Sequence, residues 1–153
     1  MIITFLASFL IWILFAGLVY LWVIDGRVKR EVALHAFLSA LIAWGAAELI
    51  KSLFPTTRPF VTDNFPPLTL TIPIDGSFPS GHTAASFALA TSVWLHNKKL
   101  GLFFVIIALT IGVSRVLANV HWPLDIIGGI IVGTVVSLIV ERLHVFSLVK
   151  KYK

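Results

Sequence analysis

The stretch FPSGHTAASFALATSVWLH, Phe78–His96, places a Ser-Gly-His step directly before a long apolar run. At the start of a helix, the first backbone N–H groups have no partner within the helix, and the helix dipole favours negative charge. Ser80, Gly81 and His82 would add a hydroxyl, an unobstructed amide and a titratable ring to the same small surface. These groups suit an anion. An anion site here needs further cationic and catalytic groups from elsewhere in the chain.

Three cationic side chains stand at the ends of other apolar runs. Lys51 and Arg58 flank a break at Pro55 in the segment KSLFPTTRP, and Arg115 follows Ser114 at the end of a later run. Cations held at membrane depth are costly without a partner. A phosphate group fits them, because arginine offers planar fork donors and lysine offers a point charge.

A histidine and a carboxylate follow in the segment NVHWPLD. Pro123 is typical of the first turn of a helix, which puts His121 just before that helix and Asp125 in its opening turn. One turn apart, the carboxylate can accept a hydrogen bond from one imidazole nitrogen and leave the other nitrogen basic. Glu48, three residues before Lys51, is expected to pair with that lysine or with another cation of the site.

The composition indicates an integral membrane protein. Of the 153 residues, 58% are hydrophobic and only 12% are charged, and the mean hydropathy is +0.98. A soluble domain carries more charge than this. The length predicts a single domain over residues 1–153, and the absence of cysteine excludes disulfides and thiolate chemistry. Five apolar runs are predicted to form helices, most of them long enough to cross a hydrocarbon core of about 30 Å: Ile2–Ile24, Val32–Phe54, Ser80–Leu95, Leu100–Val120 and Leu124–Val140.

The connectors between these runs differ in charge. The segments Asp25–Glu31, Asn97–Lys99 and Lys150–Lys153 are basic, whereas Pro55–Phe78 carries only Arg58 as a cation. With five spans the basic segments fall on one side, which the positive-inside rule makes cytoplasmic. The sequence therefore predicts an all-α polytopic bundle of about five transmembrane helices, with the N-terminus outside and the C-terminus in the cytoplasm. The basic ends also explain the net charge of +5, so nucleic-acid binding is not predicted.

Three motifs, taken in order, resemble the signature of the type-2 phosphatidic acid phosphatases, membrane lipid phosphatases that share an active-site architecture with vanadium haloperoxidases. One motif alone would be weak, but three in the correct order and spacing are specific. Members of that family usually have six spanning helices, whereas five are predicted here. The matching residues are Lys51-x6-Arg58-Pro59, Pro79-Ser80-Gly81-His82 and Ser114-Arg115-x5-His121-x3-Asp125.

The resemblance implies a metal-independent phosphoryl transfer in two steps, with no cofactor. His121 would attack phosphorus to form a phosphohistidine, and Asp125 would orient it. His82 would protonate the departing lipid oxygen and then help to activate water. The remaining motif residues would hold the phosphoryl oxygens: Lys51, Arg58, Arg115, Ser80 and the Gly81 amide. Glu48 and Ser114 are expected to contact these residues, and not the phosphate itself, and so to help to position them.

The sequence thus predicts a multi-pass phosphatase of the plasma membrane, with its site facing the extracytoplasmic side and a membrane lipid phosphate as substrate. Undecaprenyl diphosphate, phosphatidylglycerol phosphate, phosphatidic acid and a lipid A phosphate all remain candidates, and the oligomeric state is not predicted. A phosphotransferase with an acceptor other than water, a haloperoxidase, and a non-catalytic scaffold or transporter are the alternatives. The haloperoxidase is disfavoured because the chain is so apolar.

Each of these residues alone also has an ordinary structural role. Lysines and arginines anchor helix ends at the membrane surface, and an aspartate favours a helix N-terminus. A phosphate site is favoured because these residues occur together, in the order and spacing of the three motifs. Two further features are structural predictions: Gly129-x3-Gly133 is expected to be a close helix-packing face, and Phe60–Phe78 a semi-rigid cover over the site, with a structureless linker as the alternative.

Overall fold

The computed structural model describes residues 1–24 and 27–143, with side chains described for 1–23 and 30–143. This part of the chain forms six helices and no strand, which confirms the all-α prediction. Five of the helices correspond to the five apolar runs, and the sixth, α3, is a short helix within the cover. The helices are α1 (Ile2–Ile24), α2 (Arg27–Leu53), α3 (Pro59–Asp63), α4 (Gly81–His96), α5 (Lys98–Leu117) and α6 (Pro123–Arg142).

Among the described residues, four helices are long and apolar enough to cross a membrane: α1, the part of α2 from Arg30 to Leu53, α5 and α6. Helix α4 has 16 residues, which at 1.5 Å per residue gives about 24 Å, less than the hydrocarbon core of about 30 Å. Helix α4 is thus the shortest of the five helices that correspond to apolar runs. The predicted orientation across the membrane stays a prediction. Of the basic segments on which it depends, Asp25–Gly26 and the tail Lys150–Lys153 lie outside the described residues.

The short helix α4 is the centre of the bundle, in contact with α2, α5 and α6. Its buried face is built from small side chains, among them Ala84, Ala88 and Ser92. Such residues let neighbouring backbones approach closely. The predicted glycine face of α6 packs here: a Cβ placed on Gly129 would lie 2.8 Å from the Ser80 carbonyl oxygen, and one on Gly133 would lie 2.3 Å from that of Ala84.

This packing brings the C-terminal ends of α2 and α5 to the N-terminal ends of α4 and α6. The α4 start is tied directly to α6, because the Ser80 N–H donates to the Asp125 carbonyl oxygen at 3.0 Å. The connector between α2 and α4 folds back over the same end of the bundle. The Phe60 and Leu68 N–H groups donate to carbonyl oxygens of the α5–α6 turn at 3.2 and 2.9 Å. The connector is therefore an ordered cover, as predicted, and not a structureless linker.

Candidate active site

His121 and Asp125 form the hydrogen-bonded pair that the sequence predicts. Helix α6 begins at Pro123 and places Asp125 in its first turn. The His121 Nδ1 lies 3.2 Å from the Asp125 Oδ2, and His121 is only 2% exposed. A carboxylate can only accept, so Nδ1 carries the proton and Nε2 keeps its lone pair. The nitrogen available for nucleophilic attack is therefore Nε2.

The Asp125 carboxylate is itself held by two further donors. The Trp122 N–H donates to the same Oδ2 at 2.8 Å, and the hydroxyl of the fully buried Ser77 also donates to it. Three donors on one oxygen fix the carboxylate and, through it, the plane of the His121 ring. Sequence reasoning missed Ser77, because it lies 48 residues before Asp125 and no spacing rule connects the two.

Burial keeps the His121 ring neutral. Desolvation lowers the pKa of His121 to about 4, the hydrogen bond with Asp125 opposes this, and the nearby Arg115 and Arg58 cations lower it further. At neutral pH the ring is therefore uncharged. A neutral imidazole whose Nε2 carries no proton is the form that can attack phosphorus.

Arg58 is buried at the centre of the site, with 4% of its surface exposed. Its Nη1 donates to the Val120 carbonyl oxygen at 2.7 Å and faces the His121 Nε2 at 3.4 Å. Its Nε donates to the Asp75 carbonyl oxygen at 2.9 Å, and Nη2 donates to the Asp75 Oδ1 at 2.9 Å and to the Gly76 carbonyl oxygen at 3.0 Å. A guanidinium has five N–H donors, so every donor of Arg58 faces a protein acceptor.

Lys51 is the second buried cation, 6% exposed. Its Nζ donates to the Glu48 Oε1 at 2.8 Å and to the Asp75 Oδ2 at 2.9 Å. The pairing of Glu48 with Lys51 is the one that the sequence predicts. The same Glu48 oxygen borders the α4 start, since a Cβ placed on Gly81 would lie 3.1 Å from it and 2.9 Å from the Trp44 Cδ1. A side chain at position 81 would close this approach.

Helix α4 begins at Gly81, with Ser80 as its N-cap. The buried Ser80 hydroxyl accepts from the Thr83 N–H at 3.4 Å and from the Thr83 hydroxyl at 3.0 Å. Within the described part of the chain, the backbone N–H groups of Gly81 and His82 have no acceptor. The His82 ring lies within electrostatic range of His121 and of the Lys51, Arg58 and Arg115 cations. The two motif histidines therefore face the same cationic centre.

Arg115 lies in the last turn of α5 and is 7% exposed. Its Nη1 donates to the Ala7 carbonyl oxygen of α1 at 2.9 Å. Its buried Nε has no acceptor among the described residues. A buried N–H without an acceptor is costly, and an oxygen of a bound anion would satisfy it. The neighbouring Ser114 hydroxyl instead donates to the Ile111 carbonyl oxygen of its own helix at 2.7 Å.

The structure thus brings together all the predicted catalytic and phosphate-binding residues, and adds Asp75 and Ser77 from the cover. His35 and His96 lie elsewhere: His35 is within α2, and the His96 Nε2 pairs with the Glu141 Oε1 at 3.0 Å near the other end of the bundle. His144 lies outside the described residues. No group of three or more His, Asp or Glu side chains in residues 1–24 and 27–143 is arranged as a metal site.

Comparison of the chain with models of protein families shows the family to which it belongs. The model of the PAP2 superfamily matches residues 32–147, which include all three motifs. The chain belongs to the PAP2 superfamily. The family resemblance inferred from the three motifs is therefore confirmed.

Individual PAP2 proteins match over most of the chain. The bacitracin transport permease protein BcrC of Bacillus licheniformis is 30% identical over 91% of this chain and 68% of its own length. The undecaprenyl-diphosphatase BcrC of Bacillus subtilis is 29% identical over 82% of this chain and 64% of its own length. The crystal structure of Aquifex aeolicus LpxE superposes with a TM-score of 0.73 at 26% identity, covering 92% of this chain and 81% of that one. The chain spans about two thirds of the length of these curated relatives.

Proposed function

We propose that this protein is a membrane lipid phosphatase that hydrolyses a terminal phosphate through a phosphohistidine at His121. The observation that carries the proposal is the His121–Asp125 pair, which leaves the Nε2 lone pair facing a centre built from three buried cations. A neutral nucleophile beside concentrated positive charge suits attack on a phosphate dianion, whose charge would otherwise repel nucleophiles.

In the first step, the His121 Nε2 forms a bond to phosphorus as the bond from phosphorus to the lipid oxygen breaks. His82 donates a proton to that leaving oxygen. In the second step, a water oxygen attacks the phosphohistidine, His82 accepts the water proton, and the P–Nε2 bond breaks to release inorganic phosphate. Asp125 accepts from Nδ1 throughout and stabilises the ring as it gains positive charge.

The donors without protein acceptors form the proposed phosphate cradle. They are the Arg115 Nε and the backbone N–H groups of Gly81 and His82. Lys51 makes two hydrogen bonds to carboxylates and has a third N–H to offer. These groups come from α2, α4 and α5, so a phosphoryl group bound among them would be held from three sides.

An apolar groove between α1, α2 and the start of α4 supports a lipid substrate. It has a volume of about 940 Å³, and Gly81 and His82 are among its lining residues. Its walls are mainly aliphatic and aromatic, with Trp12, Phe15, Phe37 and Trp44 among them. A hydrocarbon chain in this groove would place its phosphate end beside His82. We assign the groove to the apolar tail of the substrate.

An isoprenoid diphosphate is the substrate that we favour within the lipid phosphates. A relative that matches 82% of this chain is named an undecaprenyl-diphosphatase, and the walls of the groove are mainly apolar, as an isoprenoid chain requires. Phosphatidylglycerol phosphate, phosphatidic acid and a lipid A phosphate share the reacting group and are the comparison substrates. Metal independence is part of the proposal, because Lys51, Arg58 and Arg115 would offset the phosphate charge.

Phosphate release by the purified protein from these four lipids tests the proposal, with and without a chelator. We expect release from at least one lipid, fastest with the diphosphate, and no loss with chelator. His121→Ala should abolish release, and His96→Ala is the matched control because His96 pairs with Glu141 away from the site. Full activity in His121→Ala, or activity that requires added Mg²⁺, would contradict the mechanism.

Two alternatives have specific tests. A phosphotransferase would use the same phosphohistidine but pass the phosphoryl group to an acceptor other than water, so little free phosphate would appear beside the dephosphorylated lipid. A transporter is the second alternative, because one relative is named a transport permease. For a transporter, the purified protein would release no phosphate from any of the four lipids.

We further propose that the site faces the extracytoplasmic side of the plasma membrane. The support is the charge pattern of the sequence, in which the connector that covers the site carries a single cation, Arg58. A cysteine placed in the exposed part of the connector, at Val61, should react with a membrane-impermeant thiol reagent added to intact cells. Reaction only after the membrane is broken would contradict this orientation.

A further inference from the structure

The cover carries an acidic residue, Asp75, into the cationic centre. Its Oδ1 accepts from the Arg58 Nη2 and its Oδ2 from the Lys51 Nζ, both at 2.9 Å. The two cations are almost fully buried, whereas the Asp75 side chain is 41% exposed. The Asp75 carboxylate thus bridges Arg58 and Lys51, which precede it in the chain by 17 and 24 residues.

The Arg58 contacts show what a phosphate would have to replace. Of the five acceptors around Arg58, three are backbone carbonyls held by the fold, and one is the His121 ring. The fifth is the Asp75 carboxylate, which stands on a side chain that can rotate. A phosphoryl oxygen can therefore bind Arg58 most readily in the place of the Asp75 Oδ1. Carboxylate and phosphate are interchangeable partners for the arginine fork.

From these contacts we propose that the Asp75 carboxylate occupies part of the phosphate position in the substrate-free protein, and that an incoming phosphoryl group displaces it. The inference rests on the proposed function, because it places the substrate phosphate beside Lys51 and Arg58, two of the cations that would offset its charge. Asp75 would keep two buried cations paired between turnovers, since unpaired buried charge is strongly destabilising. It would also weaken the binding of product phosphate and so determine how readily phosphate leaves.

The surroundings of Asp75 leave room for this exchange. An open hollow of about 490 Å³ lies beside the carboxylate, with Arg58, Asp75 and Pro55 among its lining residues. Ile74, the preceding residue, is fully exposed, so packing does not hold its side chain. Partial burial would raise the pKa of Asp75, but its bonds to Lys51 and the Arg58 charge lower it below its ordinary value. The group to be displaced is therefore an anion at neutral pH.

Binding of inorganic phosphate to the detergent-solubilised protein tests the inference, by isothermal titration calorimetry. Asp75→Asn removes the competing charge with little change of shape, so we expect the Kd for phosphate to fall about tenfold. Asp63→Asn is the matched control, because Asp63 lies in the same connector but, within the described part of the chain, its side chain accepts hydrogen bonds only from the Phe65 N–H and the Asn119 amide. Its Kd should stay within about twofold of the wild type.

A second variant tests the displacement directly. In Asp75→Ala the carboxylate position is vacant, so added acetate should occupy it and compete with phosphate. In the wild-type protein, acetate should leave the Kd for phosphate unchanged. Competition in the variant alone would support the exchange, and no effect of acetate on the variant would overturn it.

The outcomes separate this inference from the proposed function. If Asp75 instead positions Lys51 and Arg58 for phosphate, Asp75→Asn will bind phosphate more weakly than the wild type, which overturns the displacement. An unchanged Kd overturns it as well. In both cases the wild-type protein would still release phosphate from lipid. A wild-type protein that neither binds phosphate nor releases it would instead contradict the proposed function.

Discussion

Ser77 offers a sharp test of how the nucleophile is positioned. Its buried hydroxyl is one of three donors on the Asp125 Oδ2, together with the Trp122 N–H and the His121 Nδ1. A hydrogen bond to a charged group contributes about 1.5–3 kcal/mol. If the Ser77→Ala variant loses most of this free energy from the transition state, because His121 is no longer held in line, kcat should fall about 10- to 100-fold.

The assay is phosphate release from a lipid phosphate in detergent micelles, with kcat and KM determined separately. We expect the loss in kcat and little change in KM, because Ser77 touches neither the groove nor the cations. Ser92→Ala is the matched control: it also removes a buried hydroxyl, whose partners are Ser39 and Ser137, about 15 Å along α4 from His82. A Ser77→Ala kcat within twofold of the wild type, or of the Ser92→Ala variant, would refute the positioning role.

Three further predictions follow from the same contacts. In the substrate-free protein the His121 ring should stay neutral until the pH falls through about 4, where it gains a proton and loses the Nε2 lone pair; an NMR titration midpoint near 6.5 would contradict this. Arg58→Lys should lower kcat/KM at least about tenfold, because a lysine cannot replace five bridging donors; full activity in that assay would show that charge alone suffices. Gly133→Ala should lower the melting temperature, because the added Cβ would lie 2.3 Å from a backbone oxygen. Gly45→Ala is the control and should not lower it, because a Cβ at that position would have nothing within 4 Å. Equal melting temperatures for the two variants would argue against close packing of α4 and α6.

The parts of the site that the sequence predicted are those fixed by local geometry or by charge at helix ends. His121 and Asp125 are one helical turn apart after a proline that starts α6, so their contact follows from spacing alone. Glu48 and Lys51 are three residues apart on α2, and they pair for the same reason. The five helices other than α3 follow from the apolar runs.

The parts that were missed depend on contacts between distant segments. Asp75 and Ser77 stand in an irregular connector, where no period indicates which side chain turns inward. Their partners lie in α2 and α6, and only the folded cover brings them into contact. The one available signal was chemical: Asp75 is an acid close before the Pro-Ser-Gly-His motif, and an acid near three predicted cations is a candidate partner for them.

The periodicity of the sequence also could not indicate that α4 lies at the centre of the bundle. Its residues are buried on nearly every side, so no single apolar face marks a direction of packing. The Arg115 contact with the Ala7 carbonyl oxygen was likewise unforeseen, since it joins residues 108 positions apart. The buried Nε of the same Arg115 has no acceptor among the described residues, and this feature supports its proposed role in the cradle.

The covalent intermediate tests the central claim most directly. The His82→Ala variant, given a phosphate ester with a good leaving group, needs no acid for the first step but lacks the group that activates water. The phosphoenzyme should then accumulate and survive an alkaline quench. Mass spectrometry of the digested protein should place the phosphoryl group on His121. Phosphate on any other side chain, or hydrolysis without a phosphoenzyme at the earliest quench times, would contradict the account.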